Sequence, residues 1–255
     1  DRRPRSDVDG PRMGTHYPFR VMSRVLLIGR GPLPSPREPQ LGFSQLRTAA
    51  FLHALQRAGH SVRLALLVPD APTHTHTERW DVTVCVQEEG PGWLDQLSLL
   101  REGACAIVGA GPYNPSRAAC LIAEDLPVWA DIPGDPFSEL QALAMAMPSA
   151  IQPAQIAAAQ ASAMTVLGRA DAISVISRPQ RFATIGQLGM AGRLLDPKET
   201  PPIHVLPITN NFGLPGASPT EAKPAEPFIL ALAGAFNPWF DDVTLTEALD
   251  LVLHR

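Results

Sequence analysis

Residues 25–28 read VLLI and stop at Gly29, an unbroken apolar run that suits a strand covered on both faces. Such a strand belongs in the middle of a parallel sheet, and its carboxyl end becomes the lip of a crevice. Gly29 and Gly31 bracket Arg30, and a proline-rich stretch runs on to Gly42. Leu46, Ala49, Ala50, Leu52, Leu55 and Ala58 then recur at spacings of three and four, which puts them on one stripe of a helix. Gly59 and His60 end that helix, and 62–68 supplies a second apolar strand. Strand, helix and parallel strand make a βαβ unit with a right-handed crossover. The expected fold is therefore α/β, a Rossmann-like parallel sheet with helices on both faces.

The glycine loop invites a dinucleotide reading that the residues do not meet. That fingerprint needs three glycines as GxGxxG at the strand-to-helix turn and an acid near the end of the second strand. Here Pro34 stands where the third glycine belongs, and Asp70 is cut off from its strand by Pro69.

Composition narrows the function class. A chain of 255 residues with 45% apolar content has ample material for a core, and a net charge of −4 gives no general field for a nucleic-acid polymer. Cys85, Cys105 and Cys120 lack the short spacings of a zinc site and read as buried free thiols of a reducing, cytoplasmic compartment. His74 and His76 have no third ligand nearby in sequence, so no metal is expected. Residues 1–22 are rich in arginine, aspartate and proline, carry no signal-like apolar stretch, and read as a disordered leader. No apolar run is long enough to span a bilayer, which leaves peripheral contact at the inner membrane surface open.

Strands are expected at 81–86, 104–108, 126–130, 171–177 and 203–207, and helices at 93–100, 116–123, 155–168 and from Arg178 to about Gly189. The loop of Gly109, Gly111, Tyr113 and Asn114 follows a strand's carboxyl end, where small residues let a ligand approach the backbone and the ring and amide can meet a polar group. The same glycines also serve simply to turn the chain into the next helix. Asp131 ends the following strand, where a carboxylate needs a cation, a hydroxyl or backbone donors, and it is the candidate catalytic residue. Asp135, before Pro136, reads equally well as a helix N-cap. Amides at the helix start near Pro179, with Arg181, favour an anion or sugar hydroxyls. Residues 23–215 thus form one domain, 216–227 a linker rich in Pro, Ala, Glu and Lys, and 228–255 the beginning of an incomplete second Rossmann-like domain, with a strand at 228–232 and a helix at 244–253.

The order of these pieces resembles that of the retaining GT-B-fold glycosyltransferases, the family that includes glycogen and sucrose-phosphate synthases. The likeness rests on 25–31 with Gly42, on 47–62 (RTAAFLHALQRAGHSV), on 168–181 (GRADAISVISRPQR) and on 234–241 (GAFNPWFD). It implies transfer of a sugar from a nucleotide-diphosphate sugar to an unidentified acceptor, in a cleft between two domains, without a cofactor or catalytic metal. By that carry-over Gly31 and Gly42 lie near the donor phosphates, Asp131, Tyr113, Asn114 and Gly111 line the acceptor side with Ser177 and Arg181, and Gly234, Phe236 and Asn237 begin the donor side. The family's later basic pair and its sugar-holding acid would fall past Arg255, so the rest of a C-terminal domain is the expected partner and little turnover is expected without it. The alternative is a non-catalytic Rossmann-like binding or regulatory module.

Overall fold

Among the described residues seven strands lie side by side, all parallel, in the order β3-β2-β1-β4-β5-β6-β7. They are β1 (Arg24–Arg30), β2 (Ser61–Val68), β3 (Val82–Gln87), β4 (Ala106–Ala110), β5 (Val128–Asp131), β6 (Ala172–Val175) and β7 (Ile203–Val205). The helices are α1 (Phe43–Arg57), α2 (Trp93–Leu100), α3 (Asn114–Ile122), α4 (Pro136–Ala146), α5 (Pro153–Arg169), α6 (Arg178–Met190) and α7 (Asp242–Leu253). This computed structural model describes residues 23–33, 42–69, 80–111, 114–147, 149, 151–198, 200–207 and 241–253.

Alternation along each strand divides the core in two. Leu26 and Ile28 of β1, Ala65 and Leu67 of β2, Ile107 of β4 and Ile173 of β6 meet Leu97 of α2, Ala118 of α3, Val166 of α5 and Leu188 of α6. On the opposite face Val25, Leu27, Val62, Leu64 and Val108 meet Phe51 of α1. Leu26, Leu27 and Ile28 are fully buried, each stabilising the fold by about 1.5–3 kcal/mol. One Rossmann-like parallel sheet with flanking helices is the architecture.

Beyond shorter or shifted ends, as at β5, β6 and β7, two departures from the sequence reading have a packing cause. The fourth strand, expected at 104–108, runs Ala106–Ala110, because Gly109 is a strand residue whose missing side chain lets α3 lie against it. In α1 the buried positions are Arg47, Thr48 and Phe51 rather than a stripe through Leu46 and Ala49. The helix is rotated so that Thr48 faces Gly29 and Arg47 reaches β5. The leader, the linker, the strand expected at 228–232 and the loop with Pro34 lie outside the described residues. Asp241 caps α7, accepting from Thr244 N at 2.9 Å and Thr244 Oγ1 at 2.7 Å, and these bonds hold its carboxyl below the usual range.

Near the amino ends of the strands, Arg63 of β2 is 1% exposed. It donates to the Leu100 carbonyl at the end of α2 at 2.7 Å, and its guanidinium lies 4.3 Å from the Trp80 ring centroid. Burial lowers its pKa and Glu102 opposes the shift. Arg63→Met keeps the bulk but takes the charged donor from that carbonyl. A loss of about 1–3 kcal/mol in urea unfolding is expected.

Candidate functional site

The strand order reverses direction at the β1/β4 pair. From β1 the chain crosses to α1 on one face, and from β4 to α3 on the other, so the two connecting loops part and leave a crevice beyond the strand ends. Gly31 and Gly42 stand between β1 and α1, and Gly111 and Asn114 stand at the end of β4 and the start of α3, so all four belong to the connections beside this opening. Tyr113 lies outside the described residues.

Close packing shapes the β1 side. A Cβ on Gly29 would stand 2.3 Å from Thr48 Cγ2, so only glycine admits α1 here without movement. Thr48 Oγ1 in turn accepts from the Arg30 amide at 2.9 Å and donates to the Ser44 carbonyl at 3.0 Å, which fixes the first turn of α1 against the strand end. Gly42 is the N-cap and has no side chain to cap the first amides, and Gln45 of the first turn reaches over it to donate from Nε2 to the Gly31 carbonyl at 3.3 Å.

The other wall is acidic. Arg30 pairs with Glu88 at 2.7 Å, and Asn114 Nδ2 donates to Glu88 Oε1 at 2.8 Å and Glu89 Oε1 at 3.2 Å. Glu88 follows β3, and its amide bonds to the Val68 carbonyl at 3.0 Å, which brings it beside the end of β2. Arg30 neutralises one of the two carboxylates, and the excess acceptor capacity suits hydroxyl donors. Positive helix end and carboxylate wall thus face the same opening. Glu88 thus stands after the third strand, beside the end of the second, where a dinucleotide fingerprint would have its acid. The signal was the Glu88-Glu89 pair directly after the third strand.

Asp131 is fully buried and its two oxygens are engaged. Arg47, 7% exposed, donates from Nε to Oδ2 at 2.8 Å and from Nη2 to Oδ1 at 2.7 Å. Ser174 Oγ donates to Oδ1 at 2.5 Å and accepts from Trp129 Nε1 at 3.1 Å. Arg47 Nη1 also reaches the Pro207 carbonyl at 3.3 Å. The carboxylate faces α1 as an anchor between helix and sheet. Sequence reasoning did not single out Arg47 or Ser174, although an arginine beside the helix stripe and a serine inside an apolar strand were the available signs.

Ser177 and Arg181 sit at the end of β6, away from the β1/β4 opening in strand order. Ser177 is the N-cap of α6 and accepts from Gln180 N at 3.3 Å, and exposed Arg181 leans to the Ile203 carbonyl at 3.4 Å. Asp135 caps α4, as one of its two readings held, accepting from Ser138 N at 3.4 Å. Gly234, Phe236 and Asn237 lie outside the described residues.

Among the described residues no group of three His, Cys, Asp or Glu is placed to hold a metal, and no helix is long and apolar enough to cross a membrane. The cysteines are free thiols, but of the three expected to be buried only Cys120 is: Cys85 is half-buried and Cys105, just ahead of β4, is exposed. Burial pushes the Cys120 thiol up to about 12, so almost none of it is thiolate at neutral pH. Under native conditions a thiol reagent at pH 7.5 is expected to modify Cys105 rapidly and to reach Cys120 only after denaturation. Mass spectrometry of peptides sampled over time checks the order.

Neither a scan against protein-family models nor a search of curated proteins returns a match for this chain. The described residues form one Rossmann-like parallel-sheet domain with flanking helices, whose strand order reverses at β1/β4.

Proposed function

We propose that this chain is a Rossmann-like binding or regulatory module that takes a nucleotide-type ligand in the β1/β4 crevice. The observation that carries the reading is the pairing of opposite chemistries across one opening. A helix start at Gly42 that makes no side-chain cap hydrogen bond suits phosphate, and Glu88 with Asn114 suits ribose or sugar hydroxyls. Calorimetric titration with UDP-, GDP- and ADP-sugars and the matching nucleotides tests it. Saturable binding is expected, weakened about fivefold or more in Glu88→Gln, which keeps the shape and removes the charge-assisted acceptor. Absence of binding by every nucleotide, or indifference to Glu88→Gln, overturns the reading.

A sugar-nucleotide glycosyltransferase is the second reading. The feature that favours it is α7, which begins directly after the GAFNPWFD stretch and is capped by its final residue, Asp241. In that reading Gly234, Phe236 and Asn237 start the donor side, Gly31 and Gly42 approach the diphosphate, and Gly111, Tyr113, Asn114, Ser177 and Arg181 serve the acceptor side. Asp131 would act by holding Arg47. Release of nucleoside diphosphate from a bound sugar nucleotide distinguishes the transferase from the binding module, which releases none.

A further inference from the structure

On the face opposite α1, helices α5 and α6 do not close on each other. Ala159, Ala163 and Val166 form one wall, at spacings of four and three along α5, and Ala183, Thr184 and Gln187 form the other along α6. Short side chains at these facing positions leave a cleft of about 550 Å³ with its mouth included, narrowing to a core of about 40 Å³. That core is roomier than the roughly 10–15 Å³ a single water needs.

Its polar groups point to an occupant. Thr184 is 2% exposed and lines the cleft, yet its hydroxyl makes no hydrogen bond among the described residues, not even to its own helix. Thr165 of α5, by contrast, donates to the Ala161 carbonyl at 2.9 Å. Ser162, across the cleft, is likewise without a partner among the described residues. Among the described residues the one buried side-chain polar atom without a partner is Gln96 Oε1, so the Thr184 hydroxyl opens onto the cleft, where a bound polar group can meet it. Charge selects against ions. No cationic side chain lines the cleft, and its one carboxylate, Asp135, already accepts from Ser138 N, Ser138 Oγ and, at 3.0 Å, Gln187 Nε2.

We infer that the α5/α6 cleft is a second binding site, for a small uncharged molecule with an aliphatic body and a hydroxyl or amide that meets Thr184 and Ser162. It is separate from the nucleotide crevice and does not depend on that reading. Ser116 is shared between the two regions: it lines the cleft, and its hydroxyl contacts the Gly111 carbonyl at 2.9 Å.

The test uses the full chain with 13C-labelled alanine methyls, tert-butanol as the neutral probe and trimethylacetate as its charged counterpart. Saturable shifts of the Ala159, Ala163 and Ala183 methyls with tert-butanol are expected, and none with trimethylacetate. Ala163→Leu should fill the cleft and abolish the response. Thr184→Val, which keeps the shape and removes the hydroxyl, should weaken it about fivefold. Shifts that never saturate, equal binding of trimethylacetate, or an unchanged response in Thr184→Val each overturn the inference. A folding defect in Ala163→Leu leaves the Thr184→Val comparison decisive.

Discussion

Asp131→Ala is expected to cost about 3–5 kcal/mol of stability, because it strands the Arg47 guanidinium inside the protein without its counter-charge. Both partners are buried, so water cannot take over from the missing carboxylate. Asp131→Asn should cost nearly as much, since an amide fills the space but leaves the charge unpaired. Replacing both residues at once, Arg47→Met with Asp131→Leu, should recover most of the loss, because two apolar side chains carry no desolvation penalty. Ser174→Ala is the milder perturbation. It removes one donor to Asp131 and the acceptor for Trp129 Nε1, for about 1–3 kcal/mol. Urea unfolding of the four variants measures the series. A loss below about 1 kcal/mol for Asp131→Ala would mean that the pair behaves as an exposed one.

That ion pair also marks where sequence reasoning stopped. A carboxylate at the tip of a strand could be seen to need a cation, a hydroxyl or backbone donors, and it has the first two. Which cation was not legible, since Arg47 and Asp131 are 84 residues apart and only the order β1-β4-β5 brings α1 over the end of β5. The strands themselves were readable because each is a short apolar run, and the trouble came at glycine. Gly109 looked like punctuation after a strand, whereas it is part of β4, chosen for what α3 needs rather than for a turn. The α1 stripe was legible only in part, at Leu52 and Leu55, for a related reason. Counting apolar residues cannot show that a threonine and an arginine take the inward positions, because their partners, Gly29 and Asp131, lie on other elements. Gly31, Gly42, Gly111 and Asn114 could be placed in the loops after the first and fourth strands from their positions in sequence. The acidic wall was missed because Glu88 belongs to β3 and reaches the site only through the sheet's pairing of β3 with β2.

Gly109→Ala is expected to destabilise the domain by about 3 kcal/mol and to abolish ligand binding in the crevice as well. The added methyl would lie 2.5 Å from Ser116 Cα and 2.8 Å from the Pro115 carbonyl oxygen, both backbone atoms that no rotamer change can move. Relief requires α3 itself to retreat from β4. Ser116 is 1% exposed, and its hydroxyl lies 3.1 Å from the Gly109 carbonyl, 2.9 Å from that of Gly111 and 2.9 Å from that of Asp131, so a retreating α3 disturbs the ends of β4 and β5 together. Asn114 rides on the first turn of the same helix and would leave Glu88. Gly29→Ala is the informative comparison. Its nearest neighbours are Thr48 Cγ2 at 2.3 Å and Oγ1 at 2.4 Å, both side-chain atoms, so Thr48→Ala should rescue part of its loss. No truncation of Ser116 can rescue Gly109→Ala, because the obstacle is the main chain. Urea unfolding and nucleotide titration of the two single variants and the Gly29→Ala/Thr48→Ala pair measure both effects. If Gly109→Ala unfolds within about 0.5 kcal/mol of the parent, α3 moves freely on the sheet and cannot be what holds Asn114 at the crevice.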